Sequence, residues 1–327
     1  MKIAWRILAV VVSLGTYPPA AAQWRADILA APGRVSAIET AGADVRVQVE
    51  GKWYRLTADG RRLEAASGPS FPPLPAGALP DARVATGAGG IVRAWLAEPT
   101  TRYAHGILGD AIEAGSLVIE RRHGGRVTLR LDPDAVFEDI APRMAMLGGV
   151  ERIIVVKSYL DRGSALAVVD AERGVIVAET PAIGRPNAWL NPAGVADYDG
   201  DGSSDIALVR QPHVVGRLEL WSWRDGRLER TAEIADVSNH AIGSRALAMS
   251  ATADFDGDGR PDLAIPSLDR RSLRLIGFVP YPRDIARLML PARIVTNLGL
   301  VTVGSRAALI AGLENGELVV VHDSQPF

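Results

Sequence analysis

Apolar and polar residues alternate along much of the chain. Val45, Val47 and Val49 interleave with Arg46, Gln48 and Glu50, the period of a strand with one wet face. Trp53–Thr57 and Arg61–Glu64 flank Asp59-Gly60, a pair suited to a turn that needs positive φ, so a hairpin is predicted there. The same local grammar returns at Leu218–Glu229 around Asp225-Gly226, and at Leu309–Val321 around Asn315-Gly316. In the second hairpin Leu218 and Leu220 share one face, and Trp221 and Trp223 are placed on the other. Helical spacing is arguable only at Arg283–Leu290, where Ile285, Leu288 and Met289 can share a face between Pro282 and Pro291. The two prolines limit any helix there to about two turns at most.

Short apolar strands recur at long range. Ile153–Val156, Ile206–Val209, Leu263–Ile265 and Ala308–Ile310 are each followed by a polar turn and a second strand. One such hairpin cannot bury both faces, whereas copies packed around an axis can. Units of this size built from short strands predict an all-β fold, a β-propeller of small antiparallel blades. Chain length gives six blades, or seven if Asp81–Leu131 holds a compressed one. Pro69–Pro80, with Pro72, Pro73 and Pro75 inside it, holds too much proline for a regular element. It is read as a loop between units of one domain.

Residues 1–22 carry a different pattern. Lys2 and Arg6 precede an apolar stretch from Ile7 to Leu14, then Pro18-Pro19 and Ala20–Ala22. These are the marks of a signal peptide, which leaves 23–327 as a single propeller domain in the periplasm or outside the cell. The apolar run is too short for a stable membrane span, and no later segment replaces it, so no membrane insertion of the mature chain is expected. With 36 Lys+Arg against 38 Asp+Glu, the chain lacks the basic field that grips a phosphate backbone, which excludes nucleic acid as a default partner. Cysteine is absent; disulfides, a thiol nucleophile and thiolate metal sites are excluded with it.

Chemistry concentrates in two segments that match almost letter for letter. They are Asp197-Tyr-Asp-Gly-Asp-Gly-Ser-Ser-Asp205 and Asp254-Phe-Asp-Gly-Asp-Gly-Arg-Pro-Asp262. Each sets carboxylates at positions 1, 3, 5 and 9 and is followed by an apolar strand. A calcium ion takes six to eight oxygens at about 2.3–2.6 Å. Asp197, Asp199, Asp201 and Asp205 can converge if the chain winds tightly through its glycines, with the carbonyl of Ser203 filling a further place. Asp254, Asp256, Asp258 and Asp262, with the carbonyl of Arg260, form the corresponding set. Magnesium suits this flexible cage poorly, because it demands a small octahedral shell. Position twelve is Leu208 or Ile265, so these are not helix-loop-helix calcium sites.

On these two segments the chain resembles exported repeat proteins of the FG-GAP or VCBS type, related to the integrin propeller repeat. That resemblance implies a β-propeller with calcium in loops between strands. It assigns ligand roles to Asp197, Asp199, Asp201 and Asp205, and to Asp254, Asp256, Asp258 and Asp262. Two structural calcium ions are the implied cofactors. Around Pro142–Ile154 the apolar strand recurs, but the lead-in Met144-Ala-Met-Leu-Gly-Gly-Val-Glu-Arg152 lacks the acids. Glu151 alone makes no calcium site.

Other constellations are weaker. The five histidines, His105, His123, His213, His240 and His322, form no close metal-binding spacing. Gly87–Gly90 lacks the lysine and hydroxyl of a phosphate loop. Asp139, Arg143 and Arg185 are rim groups without evident convergence. Trp95, Trp189, Trp221 and Trp223 fit packing between blades better than stacking on a sugar. The function expected is noncatalytic binding of a protein or an envelope carbohydrate. An extracellular carbohydrate hydrolase or lyase is the rival reading, and it requires two acids converging in a pocket.

Overall fold

The computed structural model describes residues 23–41, 44–57, 60–303 and 306–323. The expected signal peptide and Asp59 of the first Asp-Gly turn lie outside the described residues. Among the described residues there are 25 strands and no helix. Strand β1 (Trp24–Leu29) precedes a sheet of β2 (Val35–Ala41), β3 (Asp44–Val49), β4 (Lys52–Leu56) and β5 (Leu63–Ala65). A second set follows: β6 (Ala85–Thr86), β7 (Ile91–Thr100), β8 (Glu113–Arg121) and β9 (Arg126–Arg130). After the short β10 (Ala135–Phe137) come β11 (Arg143–Leu147), β12 (Val150–Tyr159), β13 (Gly163–Asp170) and β14 (Val175–Glu179). Strand β10 pairs with both β8 and β12 and so joins the second and third sets into one nine-stranded sheet.

The fourth set is β15 (Leu190–Ala196), β16 (Asp205–Arg210), β17 (Arg217–Arg224) and β18 (Arg227–Ile234). The fifth is β19 (Ala251–Ala253), β20 (Asp262–Pro266), β21 (Ser272–Gly277) and β22 (Arg283–Met289). The last three strands are β23 (Gly299–Val303), β24 (Arg306–Gly312) and β25 (Leu318–Asp323). Their sheet takes its fourth strand from the other end of the chain, because β1 pairs antiparallel with β25 from Trp24↔Asp323 to Leu29↔Leu318.

Packing explains the two kinds of hydrophobic pattern. The recurrent apolar runs of the sequence fall in β12, β16, β20 and β24, always the second strand of a set. All four residues Ile153–Val156 are buried, because neighbouring sets cover both faces. Leu96 and Leu117 share a cluster with Ile153 and Val155, while Ile154 and Val156 share another with Ile206 and Trp221. Val209 and Leu218 meet Leu263 and Ile265. Leu273 and Leu275 meet Leu309 and Val319, and Val320 and Ile310 meet Val45 and Val47. The first and second sets are joined by a polar tie, in which Arg83 donates twice to Glu39 at 2.7 and 2.6 Å. The proline-rich segment runs beside β7, where Leu79 N donates to Leu96 O at 3.0 Å and Ala78 covers Trp95 and Ala97.

The helix arguable at Arg283–Leu290 is instead the outer strand β22. Its pairing with β21 steps from Leu275↔Ala286 to Ile276↔Asp284, leaving Ile285 as a bulge. A bulge shifts the alternation by one residue, so Ile285 and Leu288 both reach the apolar cluster. The spacing of three that suggested a helical face comes from that extra residue. The other hairpin signals are realised as strands: Asp225 and Gly226 turn at φ 49° and 77° between β17 and β18.

The third set has no acidic loop, and Gly148-Gly149 closes a two-residue turn between β11 and β12. Its neighbour Glu151 has a different task. The carboxylate accepts from Ala88 N at 2.7 Å, Gly89 N at 3.0 Å and Ile91 N at 3.3 Å. It thereby pins the Gly87–Gly90 turn of the second set to the third. Glu151→Gln is expected to cost about 1–2 kcal/mol in urea unfolding, because a charged acceptor serves three backbone donors. Unchanged stability would remove the staple.

Candidate metal centres

Both acidic segments are first-to-second strand connections in consecutive sets, 197–204 between β15 and β16 and 254–261 between β19 and β20. Gly200, Gly202, Gly257 and Gly259 sit at φ 73°, 88°, 80° and 85°. Those left-handed conformations are reached cheaply only by glycine, which explains the Asp-Gly-Asp-Gly core. The turns bring ligand oxygens of Asp197, Asp199 and Asp201 within 4.8 Å of one another, and likewise those of Asp254, Asp256 and Asp262. Two acidic clusters are thus arranged to chelate a divalent cation.

Backbone amides organise the carboxylates. Asp197 Oδ2 accepts from Gly202 N at 3.0 Å, and Asp254 accepts from Gly257 N and Gly259 N at 2.7 and 2.9 Å. Asp201 Oδ1 accepts from Ser203 N at 2.7 Å, and Asp258 Oδ1 from Arg260 N at 2.9 Å. At position nine, Asp205 closes its loop through Tyr198 N at 2.9 Å and Asp199 N at 3.3 Å, and also accepts from Ser222 Oγ. Asp262 does the same through Phe255 N at 2.7 Å. Asp205 and Asp258 therefore stand at the neck and flank of their loops, outside the close trios. Asp197 Oδ1 is buried with no hydrogen-bond partner among the described residues. A buried carboxylate oxygen is costly to leave unmatched, and this one, in a set of oxygen donors only, suits a hard cation.

Electrostatics separates the acids. Burial is the largest influence raising the Asp199 and Asp205 pKa values, with repulsion from neighbouring aspartates adding to it. Burial likewise pushes Asp262 up to about 7. Asp201 moves the other way, held low by the Ser203 amide and by Arg224.

Two kinds of residue in these sites escaped the sequence reading. Position two is an anchor: Tyr198 is fully buried with its hydroxyl 2.6 Å from Thr252 Oγ1. Phe255 packs edge-on against Trp24 at 5.5 Å. An aromatic flanked by two aspartates was the available signal. Arginines are the other kind. Arg224 Nε donates to Asp201 Oδ2 at 3.1 Å, and Arg283 Nη2 to Asp256 Oδ2 at 2.8 Å. Both come from the third-to-fourth strand hairpin of their set, where sequence gave no hint of contact.

Elsewhere, Arg143 pairs with the buried Asp139 and His105 with the buried Glu138. Trp95, Trp189, Trp221 and Trp223 are all buried, in keeping with packing.

An FG-GAP-like repeat model matches residues 197–265, the span containing both acidic loops. No curated protein matches the chain. Among solved structures, the chain is similar to the β-propeller domain of Myceliophteria thermophila Cps50 (Swd1) at 11% identity and TM-score 0.49, covering 90% of this chain and 98% of that one. It is also similar to BBS1N in complex with ARL6DN, at 11% identity and TM-score 0.41 over 94% and 99% of the two chains. BamB from Moraxella catarrhalis is similar at 13% identity and TM-score 0.39, over 87% of this chain and 71% of that one. Over the described residues the protein is all-β, built of four- to nine-stranded antiparallel sheets, and residues 197–265 match the FG-GAP-like repeat.

Proposed function

We propose that residues 23–327 form a six-bladed β-propeller, exported after removal of residues 1–22, that serves as a noncatalytic platform for another protein. Six four-stranded sets support the count, with β1 completing the last sheet beside β25. The region Asp81–Leu131 contributes the single set β6–β9, which supports six blades over seven. Calcium is the metal proposed for the two cages. Asp197, Asp199, Asp201 and Asp205 with the Ser203 carbonyl would hold one ion. Asp254, Asp256, Asp258 and Asp262 with the Arg260 carbonyl would hold the other. When bound, calcium offsets the mutual repulsion of the carboxylates and cross-links each turn. The chain's part is to hold the acids ready through the glycine turns and the buried Tyr198 and Phe255.

The observation that supports the binding role is a pair of strongly exposed aliphatic residues, Val214 and Ile242, on loops at the end of the sheets away from the cages. The cage loop precedes β16, so the 211–216 loop after β16 and the 235–250 loop after β18 lie at the opposite end. His213 Nε2 and His240 Nδ1, 2.8 Å apart, hold these loops together. They present Val214 and Ile242, 70% and 71% exposed. The 101–112 loop joins them, since Gly243 N donates to Ile107 O at 2.9 Å. Exposed aliphatic groups on rigid loops fit a protein surface. A sugar site would expose aromatics instead, and these loops expose no Phe, Trp or Tyr. Of the carboxylates whose charges meet beside them, Glu113 and Glu138 are 1% and 0% exposed, and Asp81 and Asp110 are both held by Arg245.

The test is cross-linking of residues 23–327 in envelope extract, with Val214→Asp/Ile242→Asp as the comparison. One protein captured by the parent and reduced at least tenfold with the variant, at equal melting temperature, is expected. Equal capture by both, or turnover of an envelope polysaccharide, would overturn the reading.

A further inference from the structure

The two cages hold arginines as well as aspartates, and one arginine crosses between them. Arg224 reaches the first cage from the end of β17, with Nε 3.1 Å from Asp201 Oδ2 and Nη2 3.7 Å from Asp199 Oδ2. Arg283 reaches the second from the start of β22, at 2.8 Å from Asp256 Oδ2. Arg260 belongs to the second loop, where its backbone N–H donates to Asp258 at 2.9 Å. Its side chain leaves that loop and lies over the first. A Cβ added at Gly200 would stand 3.1 Å from both Cζ and Nη1 of Arg260. The guanidinium thus rests on the bare backbone at the turn between Asp199 and Asp201, a contact that a side chain at position 200 would obstruct.

We infer that Arg224, Arg283 and Arg260 are resident counter-cations that weaken and grade calcium binding, and that Arg260 makes the first cage dependent on the second loop. This rests on the calcium reading above. A fixed positive charge a few ångströms from the seat of a divalent ion opposes its loading, even through a solvent-like dielectric. The first cage meets Arg224 and Arg260, and the second meets Arg283. Where Arg260 lies depends on how the second loop is folded, because its own amide is tied to Asp258.

The experiment measures calcium affinity by competition with a chromophoric chelator in chains with one cage intact. Asp256→Ala disables the second cage and leaves the first to be titrated; Asp199→Ala does the reverse. In the Asp256→Ala background, Arg260→Gln is expected to tighten the first cage about 3- to 10-fold, as is Arg224→Gln, whereas Arg260→Lys keeps the parent affinity. Near-ultraviolet circular dichroism in chelator establishes that each variant is folded. If Arg260→Gln shifts the first-cage affinity less than twofold in a folded protein that still binds calcium, the counter-cation inference falls and the cages stand. If the parent chain takes up no calcium, the metal reading falls and this inference with it.

Discussion

Adding calcium to the chelator-stripped protein is expected to raise its melting temperature by about 5–10 °C, with uptake of two equivalents by isothermal titration. The size follows from mass action. An ion at 2 mM that binds the folded chain with a dissociation constant on the order of 0.1 mM adds about 1.8 kcal/mol per site. Two sites give about 3–4 kcal/mol, and a chain of this length gains roughly 2 °C per kcal/mol. Each loop opens directly into a second strand packed on both faces, so freeing the loop also loosens the start of β16 or β20. The aspartates at the loop necks already tie Tyr198 and Phe255, so the sheets should survive removal of the metal with lowered stability. Asp199→Ala with Asp256→Ala should abolish the calcium response. A melting temperature indifferent to calcium in the parent chain would contradict the assignment.

Glu113 carries the second large effect. It begins β8, is 1% exposed, and feels the charges of Glu138, Asp110, Asp81 and Asp139. The neighbouring basic groups are engaged elsewhere. Arg245 bridges Asp81 and Asp110 at 2.8 Å each, Arg143 holds Asp139, and His105 holds Glu138. Burial first, and Glu138 second, push Glu113 up to about 10. The folded value lies above the unfolded one. Stability is therefore intact below pH 4.5 and is lost progressively as pH rises toward about 10. Glu113→Gln removes the ionisation, so the variant should match the parent near pH 5 and exceed it at pH 9 by up to about 6 kcal/mol. Parallel urea unfolding at pH 5, 7 and 9 measures the divergence. Identical pH profiles for the two proteins would show that Glu113 ionises without penalty.

The two acidic clusters were legible because their chemistry is local, although only Asp197, Asp199 and Asp201, and Asp254, Asp256 and Asp262, come together closely. Glycines at positive φ, carboxylates at odd positions and the strand that follows all lie within nine residues. Their aromatic anchors were partly legible, since Tyr198 and Phe255 occupy matching positions whose burial depends on the next sheet. Arg224 and Arg283 were not legible, because each stands more than twenty residues from the carboxylate it meets. The role of Glu151 was not legible, because the backbone amides it accepts from lie about sixty residues away. The Arg283–Leu290 segment misled because a bulge and a helix can both place residues three apart on one face.

Strand periodicity, turn residues and the duplicated Asp-Gly segments are properties of neighbouring residues, and the sequence alone determined them. Which runs became doubly covered second strands, where Arg260 came to rest, and how Trp24–Leu29 found the far end of the chain were decided only in the tertiary structure. These features depend on contacts between residues tens to hundreds of positions apart. Such contacts form when apolar faces with no partner in their own hairpin are buried against the next sheet, and no local pattern specifies which face that will be.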